Sequence, residues 1–176
     1  ACGKSFVSNY LSQKGYCVID TDKISHEITL PNEIGYLEIK KHFPTVIENE
    51  TINRKKLADL IFNNALLRQE LNNILHPIIK KRCIDDINKS NEKLIFLDVP
   101  LLFEAGFDDL CTTIICVSVS KDIQIQRLIK RDNISYEEAI KKIESAKQLS
   151  TETVTIESSD GLTLTGHFYP AENTKR

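Results

Sequence analysis

The chain has no methionine and no tryptophan among its 176 residues, and only 6 glycines, 5 prolines and 5 cysteines. Methionine is missing at residue 1 as well, so we expect a beginning that is processed, trimmed or missing. No apolar run approaches the roughly 18 residues of a membrane span, and no signal-peptide pattern opens the chain. Charge of one sign is lacking too. Lys and Arg total 23 against 25 Asp and Glu, and the net charge of -2 argues against a general nucleic-acid binder. Cys2, Cys17, Cys83, Cys111 and Cys116 are odd in number and in no metal-ligand spacing. They read as small buried hydrophobes of a reducing cytoplasm, which excludes disulfide-stapled and zinc-finger classes.

What is there is a core former. Hydrophobic residues make up 41% of the chain, enough for one domain of ordinary size, alone or with an appendage. Residues 4–14 have helical spacing and end at Gly15. YCVID (16–20), LIFLDVP (94–100) and TIICVSV (113–119) read as buried strands. Between them lie helical stretches: 22–30; 33–43 with Ile34, Leu37 and Phe43 inward; and one capped by Asn53 that buries Leu57, Leu60 and Ile61. A further helix through LLRQELNNIL breaks at His76-Pro77, where Pro77 opens a new one. Two more cover 121–131 and 135–148, the second with Ser135 and Glu138 as a capping box. Apolar strands alternating with helices imply a parallel sheet covered on both faces. The last segment differs: Val154/Ile156 and Leu162/Leu164 alternate around Ser159-Asp160-Gly161, a β-hairpin pattern.

Gly3-Lys4-Ser5 leads directly into a helix. Unpaired backbone N–H groups and the helix dipole favour an anion there. Gly3 allows close approach of the backbone, Lys4 supplies a point charge for phosphates, and Ser5 offers an oxygen to Mg²⁺. The full phosphate-loop pattern needs another glycine five residues ahead of Gly3, upstream of Ala1, so the signal is partial. Asp20 and Asp22 follow the first strand, where ligands of open α/β sheets bind. On an extended segment both would share a face, one to orient or deprotonate a hydroxyl; the alternative is that they cap the next helix. Asp98 closes its strand and either holds metal-bound water or forms the turn before Pro100. Arg127 and Arg131 lie four apart on one helix face. They suit polyphosphate, or else a surface ion pair with Asp132 or a nearby Glu. His76 before Pro77 reads as structural more readily than catalytic. No Gly-x-Ser-x-Gly is present, so hydrolase chemistry has no support.

In combination, GKSFVSNYL, GYCVIDTDKISHE, INRKKLADLIF, LNNILHPII, LIFLDVPLLFEAGF and QIQRLIKRDNISYEEAIKKI resemble the dephospho-CoA kinase family over about residues 2–145. The resemblance implies an α/β P-loop kinase fold for residues 1–148, with a helical CoA-binding subdomain over 31–89 and a lid over 121–148. It implies phosphorylation of the ribose 3′-hydroxyl of dephospho-CoA by a cytoplasmic, monomeric enzyme that uses ATP and Mg²⁺. Ala1, Cys2, Gly3, Lys4, Ser5, Phe6 and Arg127 would bind ATP, with Phe6 where the family usually has Thr. Asp20, Asp22 and His76 would bind the acceptor; Asp22 would be the base, assisted by Lys4 and Arg131; Ser5 and Asp98 would face the metal. Another P-loop small-molecule kinase, or a non-catalytic CoA-binding remnant, is the alternative. The family's first strand and Gly-rich turn have no counterpart ahead of Ala1, so a truncated, impaired member is expected. Residues 149–176 resemble the opening hairpin of an α/β-hydrolase and are expected to be a foreign tail.

Overall fold

The structure is a computed structural model that describes residues 2–62, 64–144, 152–157 and 163–169, the last two segments as backbone. In chain order the elements are α1 (Lys4–Gln13), β1 (Cys17–Asp20), α2 (Thr21–Ile28), α3 (Ile34–His42), β2 (Ile47–Glu48), β3 (Thr51–Ile52), α4 (Arg54–Phe62) and α5 (Ala65–Lys89). They are followed by β4 (Ile95–Asp98), β5 (Ile114–Val117), α6 (Lys121–Asp132), α7 (Tyr136–Glu144), β6 (Glu152–Glu157) and β7 (Thr163–Tyr169). The chain divides into two compact units, Lys14–Phe107, and Ala1–Gln13 with Asp108–Arg176.

In the unit Lys14–Phe107, β1 and β4 pair in parallel, with Cys17 beside Ile95 and Asp20 beside Asp98. Two of the expected acids therefore end neighbouring strands at the same, carboxyl edge. Along the pair only Ile19 and Asp98 are fully buried and the other strand residues are half-buried; Tyr16 meets Phe96 edge-on with ring centroids 5.5 Å apart. The Thr21 hydroxyl, buried at the start of α2, donates to the Asp98 carbonyl at 3.1 Å and ties that helix to the end of β4. Ile24 and Ile28, one turn apart, bury the inner face of α2.

A second core gathers Ile39, Phe43, Val46 and Leu71, with Leu57, Leu60 and Ile61 of α4 packed against it. The face of α3 meets expectation at Phe43 and differs at Ile34 and Leu37. Tyr36, Ile39 and Phe43 are buried, whereas Ile34 and Leu37 are 56% and 52% exposed. Both stripes have helical spacing, and the one carrying two aromatic rings removes more apolar area from water.

α5 also corrects the sequence reading. It runs unbroken for 25 residues through Pro77. Proline removes one rung of the helical ladder, but Leu71 before it and Ile79 and Cys83 after it are all buried, so packing holds both halves in line. The Asn64 carboxamide caps its start by accepting from the Leu66 and Leu67 N–H groups. Asn53 accepts from the Lys56 N–H at 3.0 Å ahead of α4, as its sequence position predicts. β2 and β3 form a two-residue hairpin through Asn49 and Glu50, both at positive φ; the sequence reading did not include it.

In the other unit, Ile125, Leu128 and Ala139 join α6 to α7. The Ser135 N–H donates to Glu138 at 2.8 Å and the Glu138 N–H to the Ser135 hydroxyl at 3.2 Å, a reciprocal capping box. TIICVSV is a strand, but not one of the parallel pair. β5 lies antiparallel to β7, which is antiparallel to β6, in the order β5-β7-β6. β7 satisfies the backbone groups along one side of β5, which a parallel neighbour was expected to do. The Ser159-Asp160-Gly161 turn lies outside the described residues.

Among the described residues no helix is long and apolar enough to cross a membrane. None of the five cysteines forms a disulfide; Cys83 is buried and the other four are half-buried rather than core residues.

Candidate active site

Within the unit Lys14–Phe107, a cavity of about 180 Å³ opens beyond the carboxyl ends of β1 and β4. Its walls come from three places. α2 supplies Thr21, Asp22 and Ser25; α5 supplies His76 and Ile79; the segment after β4 supplies Val99, Pro100, Leu101, Ala105 and Phe107. Ser25 lies three residues past Asp22 and so shares its helix face, a spacing the sequence already carried. Asp22 and His76, 54 residues apart by subtraction of their numbers, thus line one mostly apolar chamber with few polar groups, the usual character of a small-molecule site.

The two aspartates of VIDTD do different things. Asp20 is the N-cap of α2: its Oδ1 accepts from the Asp22 N–H at 2.8 Å and the Lys23 N–H at 3.3 Å. Asp22 stands in the first helical turn rather than on an extended segment. The shared strand face expected for this pair is therefore absent, because the chain turns helical at Thr21. Of the two, Asp22 lines the cavity and Asp20 does not. Asp98 is 5% exposed at the end of β4 and is also outside the cavity lining. Burial pushes the His76 imidazole below its ordinary pKa, so at neutral pH it is an uncharged donor and acceptor.

In the unit containing the chain's first residues, Gly3 has φ +105°, a conformation that favours glycine. Its carbonyl accepts from the N–H groups of Phe6 and Val7, at 2.9 and 3.2 Å, and starts α1. Lys4 and Ser5 fall in the first turn, where helix geometry leaves N–H groups pointing outward. Phe6 is 68% exposed. α6 lies against this turn: Arg127 Nη1 donates to the Cys2 carbonyl at 3.3 Å, and the Gln124 carboxamide meets Cys2 Sγ at 3.3 Å. Ala1 lies outside the described residues.

The dephospho-CoA kinase family model matches residues 1–162. The chain belongs to the dephospho-CoA kinase family. These are ATP-using P-loop kinases of coenzyme A biosynthesis. The chain is 37% identical over 174 residues to the dephospho-CoA kinase of Pseudoalteromonas translucida, spanning 94% of this chain and 82% of that one. With the Fusobacterium nucleatum dephospho-CoA kinase it shares 41% over 154 residues, 86% of this chain and 78% of that one. The crystal structure of TT1252 from Thermus thermophilus superposes with a TM-score of 0.71 at 25% identity, covering 83% and 75% of the two chains. A dephospho-CoA kinase structure from Campylobacter jejuni gives a TM-score of 0.53 at 29% identity, covering 82% and 74%. The family match extends to residue 162, beyond the motifs quoted above, which end near residue 145.

Against this family background the two arginines separate. Arg127 reaches the turn ahead of α1. Arg131 instead grips Asp132 with Nε and Nη2, at 2.7 and 3.1 Å, and Lys142 adds a third contact to the same carboxylate at 2.8 Å. The hydrogen bonds from Arg131 and Lys142 hold the Asp132 carboxyl far below the usual carboxylate range. This is the ion pair that the spacing offered as the alternative for Arg131. The cavity walls from Val99 to Phe107 had no assigned role in the sequence, because nothing in DVPLLFEAGF marks which residues turn inward.

Proposed function

We propose that this chain transfers the γ-phosphoryl group of ATP to the ribose 3′-hydroxyl of dephospho-CoA, giving ADP and CoA. The observation that carries this reading is Asp22 and His76 on the walls of one cavity, in a chain of the dephospho-CoA kinase family. Asp22 is the base: its carboxylate takes the 3′-hydroxyl proton as the new O–P bond forms. Neutral His76 donates to or accepts from the acceptor beside it. Asp20 supports the acceptor side indirectly, by fixing the first turn of α2 that carries Asp22.

Gly3, Lys4 and Ser5, with the flanking Cys2 and Phe6 backbone, form the phosphate cradle, and Arg127 adds a second cation. α6 and α7 form the lid, and the helical stretch from Pro31 to Lys89 the acceptor subdomain. For Arg131 to reach phosphate it must leave Asp132, and Lys142 then keeps that carboxylate partnered. Ser5 and Asp98 each offer an oxygen of the kind Mg²⁺ takes, and that ion is usually held by one or two carboxylates together with substrate phosphates and water. Bound there, Mg²⁺ would neutralise charge on the phosphate oxygens.

A coupled ADP-release assay tests the reading, with dephospho-CoA set against a nucleoside and a shikimate-like alcohol. Turnover is expected with dephospho-CoA alone, and Asp22→Asn is expected to lower kcat by about 10²- to 10⁴-fold. Turnover with another acceptor in its place would overturn the assignment.

A further inference from the structure

The cavity has two walls made of helix and one made of neither helix nor strand. The irregular wall, from Val99 to Phe107, is shaped from within. The Ala105 N–H donates to the Leu101 carbonyl at 2.9 Å, Gly106 to Phe103 at 3.1 Å, and Phe107 to Leu102 at 2.9 Å. Those bonds fix the form of the turn but not its distance from the helices opposite.

Lys80 ties that turn to α5. It stands one turn beyond His76 on α5, so the two share a helix face, and it follows the cavity-lining Ile79 directly. Its Nζ donates to the Gly106 carbonyl at 2.5 Å, between the lining residues Ala105 and Phe107. A charge-assisted bond in a half-buried setting is stronger than a neutral one, and its acceptor is backbone, which moves the whole turn with it. Gly106 has φ +66°, which turns the chain at this point. The α2 wall has its own tie to the same helix, Arg82 to Glu27 at 3.6 Å. α5 is thus the common strut to which both other walls are pinned.

We propose that Lys80 is a positioning residue for the phosphoryl acceptor: by clamping the Gly106 carbonyl it sets the spacing of the wall that faces Asp22 and His76. The inference rests on reading the cavity as the acceptor site. Acceptor affinity and alignment depend on that spacing, whereas ATP binding does not.

Lys80→Met and Lys80→Arg, made in the full chain, separate the outcomes. Without ligand, hydrogen exchange across 101–107 is expected to quicken in Lys80→Met and to stay near native in Lys80→Arg, whose guanidinium can also donate to the carbonyl. Unchanged exchange in Lys80→Met overturns the clamp. In calorimetry, Lys80→Met is expected to bind dephospho-CoA roughly tenfold more weakly while ATP affinity stays within about twofold, with Lys80→Arg restoring most of the loss. Equal loss for both ligands, or faster exchange with no loss of acceptor affinity, also overturns it. If the native protein itself binds no dephospho-CoA, the acceptor-site reading fails and this proposal falls with it. If native protein binds and Lys80→Met binds equally well, the proposal alone fails.

Discussion

Arg127 donates to the carbonyl of Cys2 across 125 residues of sequence, placing a guanidinium beside the turn that starts α1. Its Nη1 is also the nearest atom to where a Cβ on Gly3 would stand, at 3.4 Å. A second cation therefore sits beside the turn that carries Lys4, and its fork donors match phosphate oxygens. Arg127→Ala is expected to weaken ATP binding by roughly tenfold or more, and Arg127→Lys to recover only part of it, because a point charge lacks the fork. Calorimetric titration with ATP checks this; equal affinity in the alanine variant would separate Arg127 from the nucleotide.

Gly3 is held at φ +105°, where a side chain is strained whatever the surrounding space. Gly3→Ala is expected to destabilise the start of α1 by about 1 kcal/mol or more. Its Cβ would only touch Arg127, at 3.4 Å, so any fall in ATP affinity is expected to come from the strained turn. Thermal unfolding and ATP titration on one preparation report both effects.

Asp20 and Asp22 separate stability from chemistry. Asp20→Ala removes the cap of α2 and is expected to cost about 1 kcal/mol of stability, with a smaller change in kcat than Asp22→Asn produces. Asp22→Asn keeps the cap and the fold but loses the base. Denaturant unfolding beside the coupled assay distinguishes them. Matching losses of turnover with unchanged stability in both variants would return Asp20 to the reacting centre.

What the sequence disclosed was mostly local. The Asn53 cap and the Ser135/Glu138 box depend on residues within three positions of one another, and both are present. The acidic ends of YCVID and LIFLD were also legible, since an apolar run closing on Asp marks a strand's carboxyl end; in the structure Asp20 and Asp98 are register partners. Choices between faces were not. Ile34/Leu37 and Tyr36/Ile39 both have helical spacing, and only burial beneath α3 selects the second, alongside Phe43, which was expected inward. Pro77 marked a break on local grounds, and distant packing overrode it. The partner of β5 depends on β7, 46 residues or more along the chain by subtraction of their bounds, which no periodicity reveals. The same limit hid Lys80, whose acceptor is a backbone carbonyl 26 residues away.

His76 sets a pH dependence that carboxylates do not. Burial lowers its pKa in the folded chain, so the unfolded chain takes up a proton first as pH falls. Stability from this group is therefore whole above its unfolded pKa near 6.5. It declines as pH drops from there through the lower folded value. Glu48, Asp132 and Glu138 also have lowered pKa values, from hydrogen bonds to Lys56, Arg131 and Ser135 respectively, but they act in a more acid window, below about 4.5. The melting temperature is thus expected to fall in two stages on acidification, the first beginning below about pH 6.5. His76→Gln is expected to flatten the first stage and leave the second intact. Because His76 lines the cavity, dephospho-CoA bound there is expected to shift the first stage toward lower pH by keeping the imidazole out of water. Melting curves from pH 7.5 to 4, with and without dephospho-CoA, test both statements, and a first stage that survives His76→Gln would assign it to another group.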